Sequence, residues 1–507
     1  MPSLLGIDGG LTVTKAVVFD LDGTPLATAR RRVPQSMPAA RRVERDMEAL
    51  WTATAEAVRE AIRSCGRAAD DVAGVAATAH GDGVYTLDAA GRPLGPGILS
   101  LDSRAVDTVD AWHADGTADA ALALTGQVPH ASAPSALLAW MREHEPGRFA
   151  RIAHVLACKD WLRLRLCGAL GTDRTEASTS FTDVATQAFA PEALELFGLG
   201  TLSHALPEVA TSTEAVGAVT EEAVRATGLV PGTPVAAGLH DVTASALGIG
   251  AHAPGALGIV AGTYSINEIV AEAPRVDARW FCRNAIEPGR WNHMAISPAS
   301  TANYDWFLDT LCRAERDAAN AAGDSIHDRL APEIDAAFAR PSTALFHPYL
   351  FGSPFGAGAS GGFVGLRGWH GRGELLRAVL EGIAFNHRTH VDALRERFAI
   401  DAVRLTGGVS RNPRVAQLFA DTLGLPVTVS GVDEAAAFGA AACAGVAIGF
   451  YGSIHELPEP PGARGRTHEP SVARATEADE RFAAYERVGE ALAPHWAMLE
   501  RLGEGGS

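Results

Sequence analysis

The chain has 507 residues, 47% of them hydrophobic and 20% charged, which is material for two or more domains rather than one core. A formal net charge of −17 excludes a phosphate backbone or an anionic membrane surface as general partner, so neither nucleic acid nor membrane is expected. It leaves room for a phosphorylated small molecule held by local donors. Six cysteines (65, 158, 167, 282, 312 and 443) show no CxxC or metal-ligand spacing, the pattern of free thiols in a reducing compartment.

Residues 4–7, 15–20 and 25–30 are β-rich runs divided by Gly-containing turns, which predicts an antiparallel meander. Within it, Asp22-Gly23 is a two-residue hairpin signal. A helix follows, with Met47, Leu50, Trp51, Thr54, Ala57, Val58, Ala61 and Ile62 on one face and Asp46 placed to cap it. Alternation runs through "VAGVAATAHG" (72–81), and "SALLAWMREH" (135–144) reads as helical. A second β-rich stretch begins near residue 256. Further on, "ELLRAVLEGIAFNHRTHVDAL" (374–394) puts Leu376, Val379, Leu380, Ile383 and His387 on one helical face. Strand 403–408, helix 414–424, strand 426–430 and a small-residue helix 435–449 follow, an order that implies α/β layers. From about 453 the chain turns Pro-, Glu- and Arg-rich before a last helix near 474–502, read as an appended surface segment.

An internal repeat organises these elements. "LGIDGGLTVTKAVV" (5–18) aligns without gaps on "LGIVAGTYSINEIV" (257–270), and both are strand–Gly turn–strand. Two similar domains, each opening on a glycine hairpin, could clamp a polyphosphate.

Five stretches can carry chemistry, each of the first three with a plainer alternative beside it and the last two in loops that are polar in any case. Asp8-Gly9-Gly10 offers backbone N–H groups to phosphate and a carboxylate to Mg²⁺ through water, or is an ordinary hairpin. "GGVSRN" (407–412) lets a nucleotide lie against a helix N-terminus, or is a packing turn. In "GLHDVTASALGIG" (238–250), Asp241 is either a helix cap or a general base for a substrate hydroxyl. "AHGDG" (79–83) and "LDSRA" (101–105) supply His80, Asp82, Asp102 and Arg104 after strands, where polyol hydroxyls can be bound.

Taken in order, these segments resemble the FGGY carbohydrate kinases of the actin/hexokinase/Hsp70-type ATPase superfamily. The resemblance covers roughly residues 3 to 450. It includes "VERDMEALW" (43–51), "ACKDWLRLRLCG" with "GTDRTEASTSFTD" (157–183), "RAVLEGIAF" (377–385) and "LTGGVSRNPRVAQLFADTLGLPV" (405–427). It implies an α/β fold of two similar ribonuclease-H-like domains with a catalytic cleft between them. The expected parts are residues 1–250, 251–453 and a C-terminal extension, 454–507. ATP and Mg²⁺ are the implied cofactors, and a homodimer the implied assembly. Asp241 becomes the catalytic base and Asp8 lies near the metal through water, with Gly10, Thr12 and Lys15 around the β/γ-phosphates. Gly262 and Thr263 would touch phosphate, Gly407, Gly408 and Asn412 the adenosine, and His80, Gly81, Asp82, Asp102, Arg104 and His240 the sugar. Two departures stand out: Leu11 occupies a position where the family usually has Thr, and Ser100 one where it often has Trp.

"LLAWMREHEP" (137–146) and "CKDWLRLRLCG" look most like the branch with L-xylulose kinase, so the expected acceptor is a short-chain ketose, with a sugar alcohol such as erythritol or xylitol as alternative. Two other classes compete. Asp20-x-Asp22-Gly23-Thr24 imitates the aspartyl-nucleophile motif of haloacid-dehalogenase-type phosphatases, and a non-catalytic sugar-binding relative would keep the same fold. The phosphatase reading leaves the repeated glycine hairpin without a role. No basic leader with an apolar core opens the sequence and no run reaches membrane-spanning length, so a soluble cytoplasmic protein is expected.

Overall fold

A computed structural model describes residues 1–353, 358–459 and 465–504. They form two compact units, each assembled from separated stretches of chain. The first comprises Met1–Pro254, Ile269–Met294 and Gly431–Arg464; the second comprises Gly255–Glu268, Ala295–Ser430 and Gly465–Ser507.

In the first unit the expected meander is present. Strands Ser3–Gly9, Val13–Asp20 and Pro25–Arg32 pair antiparallel in sequence order. Ser3–Gly9 also pairs in parallel with Val72–Ala79, and the sheet continues to Pro234–Ala236 and Ala215–Ala218. Leu5, Ile7, Ala16 and Val18 meet helix Met47–Ser64 on one face. Leu4, Val17 and Phe19 meet helices Asp241–Gly248 and Ala435–Ala447 on the other. A sheet covered on both sides selects apolar residues at every position. That corrects the alternating reading of 72–81: strand Val72–Ala79 is buried at all but one residue.

The small residues of Ala435–Ala447 follow from how near it lies to its neighbours. A Cβ on Gly6 would stand 1.9 Å from Ala437 O, and one on Gly439 would stand 2.1 Å from Ala244 O. Helix Met47–Ser64 buries the whole predicted face, and the Ala49 N–H donates to Asp46 Oδ1 at its start (2.8 Å).

The turn at Asp22-Gly23 differs from the two-residue hairpin expected. Gly23 N–H donates to Asp20 O (3.0 Å), Asp20 N–H donates to Thr24 O (2.8 Å), and only Gly23 has positive φ, 83°. Asp22 therefore cannot serve a type I′ turn, which needs positive φ at both central residues. Arg67 holds Asp20 Oδ2 at 2.5 Å, so the carboxylate of the phosphatase-like string is already paired.

In the second unit, Ala256–Ala261 pairs in parallel with Ala402–Thr406 and that strand with Val427–Val429; Thr467–His468 adds antiparallel. The repeat is visible at the level of single residues. The opening strands end on Gly9 and Ala261, and the next begin on Val13 and Ser265, matched positions in the gapless alignment. Helix Arg372–Arg395 buries Leu376, Val379, Leu380, Ile383 and His387 as predicted.

The last helix, Val472–Glu504, is not a surface appendage. Ala478, Phe482, Tyr485 and Trp496 are buried, and the three aromatic rings pack in one cluster with Ala299, Leu345, Tyr349 and Phe385. The hydroxyls of Tyr349 and Tyr485 lie 2.7 Å apart. The charge-rich sequence before the helix hides an apolar stripe that the second unit needs to complete its core.

Candidate active site

In the first unit, Asp8, Lys15 and Arg30 form one cross-strand row: Asp8 is opposite Lys15, and Lys15 opposite Arg30. Lys15 Nζ lies 3.6 Å from Asp8 Oδ2 and 3.1 Å from Glu434 Oε2, and Arg30 takes the other oxygen of Glu434. Burial raises the Asp8 pKa although Lys15 opposes it. Burial also pulls Lys15 down, but Asp8 and Glu434 outweigh it and leave that amine above its ordinary value. Sequence reasoning missed Glu434; its one signal was an acid immediately before a small-residue helix.

The turn between these strands answers the question raised by Leu11. Its side chain packs against the first core, and its carbonyl accepts bonds from Gln35 Nε2 (2.7 Å) and from Arg45. Thr12 is exposed, and its carbonyl takes the Val33 N–H (3.0 Å). Gly10 is half-buried. The turn is thus anchored through backbone, and a hydroxyl at position 11 is not what holds it.

A second group surrounds the strand ends that follow. His80 N–H donates to Gly9 O (3.1 Å), joining this group to the first turn. Gly81 leaves no room for a side chain, because a Cβ there would stand 1.7 Å from His240 Nε2. Asp82 sits at φ 57°, with Oδ1 2.9 Å from Arg283 NH2 and 3.6 Å from His130 Nε2. Burial alone would raise its carboxyl, yet Arg283 and His130 hold it well below the usual carboxylate range. Burial, then Arg45, pushes His80 down to about 3; burial, then Arg283, pushes His240 down to about 4. Both rings are therefore neutral at pH 7.

Asp241 is the first residue of helix Asp241–Gly248, with His240 in the cap position. Its Oδ1 accepts the Val242 N–H (2.8 Å), and His240 Nδ1 is 3.2 Å away. The side chain keeps 34% exposure, so a carboxylate edge remains open. Burial raises its pKa to about 7, with the charge of Asp8 the next cause. A carboxylate with that pKa is matched to proton abstraction near neutrality.

Asp102 is fully engaged, whereas Arg104 keeps one guanidinium nitrogen, NH1, without a hydrogen-bond partner. Asp102 Oδ1 accepts from Arg104 N–H and Nε (both 2.9 Å), and Oδ2 accepts from Arg104 NH2 (2.7 Å) and Val43 N–H (2.6 Å). Arg104 also donates to Glu44 (2.7 Å) and lies 5.2 Å over the Trp140 ring. Both residues are buried, and Arg104 NH1 is the donor this arrangement leaves over. Arg283, which sequence reasoning passed over, is the buried cation that does reach this second group.

In the second unit, Gly262 O accepts from Thr301 N–H (3.0 Å) and Oγ1 (2.7 Å), while Thr263 is exposed. Gly407 requires glycine: its φ is 116°, and a Cβ would stand 2.1 Å from Ala261 O. Asn412 Oδ1 caps helix Pro413–Leu423 by accepting the Arg414 N–H (2.9 Å). Beside them lies a cavity of about 380 Å³ lined by Tyr304, His327, Leu380, Gly408, Asn412 and Pro413, among others. The Tyr304 and His327 rings stack with centroids 5.7 Å apart. That volume lies within the range of small-molecule sites. Tyr304 and His327 come from helices Thr301–Leu311 and Ile326–Phe338, to which the sequence reading gave no function.

Models of the FGGY family of carbohydrate kinases match twice: the N-terminal domain over residues 3–248 and the C-terminal domain over 257–448. The chain is 32% identical over 461 residues to L-xylulose/3-keto-L-gulonate kinase of Escherichia coli K12, covering 89% of each chain. It is 32% identical over 518 residues to erythritol kinase of Brucella abortus, covering 98% of this chain and 97% of that one. Among solved structures it resembles xylulose kinase from Rhodospirillum rubrum, with TM-score 0.85 and 28% identity over 98% of this chain and 100% of that one. The chain belongs to the FGGY family of carbohydrate kinases, and is an ATP-dependent phosphotransferase with an alcohol group as acceptor.

Proposed function

We propose that the protein transfers the γ-phosphate of ATP to a hydroxyl of a short-chain ketose, a pentulose such as L-xylulose, with a sugar alcohol such as erythritol as second reading. The observation that carries the chemistry is Asp241, a half-exposed carboxylate at a helix start with its pKa raised to about 7. Full-length likeness to a relative named for L-xylulose supports the first acceptor, and likeness to one named for erythritol supports the second.

Asp241 takes the proton from the attacking hydroxyl, which lines up on the γ-phosphorus. Lys15 and the N–H groups of the Gly10–Thr12 turn neutralise and orient the phosphate oxygens. His80, Gly81, Asp82 and His240 shape the sugar side, with Asp102 and Arg104 holding the neighbouring loop. From the second unit, Gly262 and Thr263 are the proposed phosphate contacts. Gly408 and Asn412 border the cavity proposed for the adenosine, where Gly407 keeps the turn narrow.

No cluster of three or more His, Cys, Asp or Glu side chains suited to a metal occurs among the described residues. Single-carboxylate binding fits Mg²⁺, which keeps several waters and takes its remaining ligands from phosphates. Asp8 is the residue that would hold it through water, and the ion would supply charge neutralisation on the phosphate oxygens. We place the protein in the cytoplasm as a homodimer, a location in keeping with six free cysteines. The residues from 454 onward are proposed as a C-terminal extension whose last helix is built into the core of the second unit.

An ADP-release assay against xylulose, ribulose, erythritol, xylitol and glycerol tests the acceptor. Turnover highest on a pentulose supports the first reading, and highest on erythritol the second. An Asp241→Asn variant that kept more than about a tenth of wild-type turnover would remove the general-base assignment, since such assistance is worth roughly 10² to 10⁴.

A further inference from the structure

The side chain of Arg283 lies between Asp82 and His240, bonded to both. It sits on strand Phe281–Asn284, is 2% exposed, and belongs to the first unit. All three guanidinium nitrogens are used: NH2 on Asp82 Oδ1 (2.9 Å), Nε on Gln127 Oε1 (3.0 Å) and NH1 on His240 Nε2 (3.3 Å).

A guanidinium can only donate hydrogen bonds. Nε2 of His240 must therefore be the acceptor, and in the neutral ring the proton stands on Nδ1. That nitrogen is 3.2 Å from Asp241 Oδ1. The Val242 N–H has two acceptors within reach, His240 Nδ1 at 3.3 Å and Asp241 Oδ1 at 2.8 Å. The nearer carboxylate takes it and leaves Nδ1 free to carry the proton.

We propose that Arg283 is a positioning residue for phosphoryl transfer: by donating to His240 Nε2 it fixes the Nδ1–H tautomer, and that N–H holds Oδ1 of Asp241 so that Oδ2 meets the acceptor hydroxyl. The same guanidinium holds Asp82 ionised, tying the loop Gly81–Gly83 to the start of helix Asp241–Gly248. This role rests on the assignment of Asp241 as base.

The test has a direct arm and a kinetic arm. In ¹⁵N-histidine-labelled wild-type protein, His240 is assigned by the signal lost in a His240→Asn variant, and long-range ¹H–¹⁵N correlations read its tautomer. The expected result is protonated Nδ1 with bare Nε2; protonated Nε2 in the wild-type protein overturns the proposal whatever the Arg283 variant does. Arg283→Gln is expected to lose the single tautomer and to lower kcat by roughly 10- to 100-fold, the scale of a misplaced catalytic group, while the KM for ATP stays within about threefold. Wild-type kcat in Arg283→Gln, or a loss confined to KM, overturns the positioning role. No turnover by the wild-type protein on any polyol overturns the kinase reading instead, and the positioning role with it.

Discussion

Lys15 and Glu434 are 419 positions apart in the chain, yet Lys15 Nζ stands 3.1 Å from Glu434 Oε2. The same carboxylate holds Arg30, which is opposite Lys15 on the adjacent strand. Like charges directly opposite each other on neighbouring strands repel. Glu434, 6% exposed at its side chain, sits where it can neutralise that repulsion and keep Lys15 beside Asp8. Glu434→Gln should therefore loosen Lys15 and reduce kcat roughly tenfold or more, in line with the cost of misplacing a charged group near the reacting atoms. Adding Arg30→Gln should recover much of the loss, because the repulsion disappears with Arg30. Steady-state kinetics on the single and double variants check this; equal losses in both would mean that the repulsion is not what matters.

The raised pKa of Asp241 gives a pH prediction with a definite sign. A general base works deprotonated, and burial and Asp8 push this carboxyl up to about 7. Below that pH a growing fraction is protonated and inactive. The kcat/KM for the acceptor should fall about tenfold per pH unit well below 7 and level off above it. A plateau extending unchanged to pH 5 would contradict the assignment. In an Asp8→Asn variant the second cause of the shift is gone, so whatever acid limb remains should move to lower pH.

How much of this was legible beforehand can be read from individual residues. The meander, the repeated hairpin and the helix faces were predictable because each is set by local periodicity and turn chemistry. Asp8, Asp241 and the two glycine turns stood at strand ends, where chemistry collects, and their order carried the family resemblance. Arg283, Glu434, Tyr304 and His327 were not legible: each acts through partners remote in sequence, such as Asp82 for Arg283 and Lys15 for Glu434. Asp102 and Arg104 were legible as a spacing but not as a bonding pattern. Their spacing fits a polyol site, but only the structure shows that Nε and NH2 of Arg104 are spent on Asp102 and Glu44 while NH1 has no hydrogen-bond partner. Leu11 fell between the two cases, since its apolar side chain could be read only once the core beneath the turn was known.

The burial of the last helix makes it a stability element. Phe482 packs on Phe385 with ring centroids 5.7 Å apart and carries Arg388 at 4.3 Å over its face. Truncating a buried Phe to Ala costs about 3–5 kcal/mol. Phe482→Ala should therefore lower the unfolding free energy of the second unit by about that amount. A charge reversal at exposed Glu480 should cost less than about 0.5 kcal/mol. Chemical denaturation of both variants checks the contrast, and equal small effects would return the helix to the status of a surface appendage.

Acid stability should be governed by buried histidines. Burial is the first cause in each case, and it pushes His80, His252 and His387 down to about 3 and His240 and His390 to about 4. Their folded pKa values lie below the unfolded value of about 6.5, so between those limits the unfolded chain binds more protons than the folded one. Stability from this source is complete above about pH 6.5 and is lost progressively as pH falls toward the folded values. The two rings of the second unit are held inside a polar network: His387 Nδ1 is 2.8 Å from Asn267 Oδ1, and His390 Nε2 is 2.9 Å from Ser297 Oγ. Replacing His390 by Gln, which cannot titrate and keeps a polar end for Ser297, should flatten the loss of stability between pH 6.5 and 4. Denaturant unfolding at several pH values reads the slope directly, and an unchanged slope would show that His390 is not among the groups that set it.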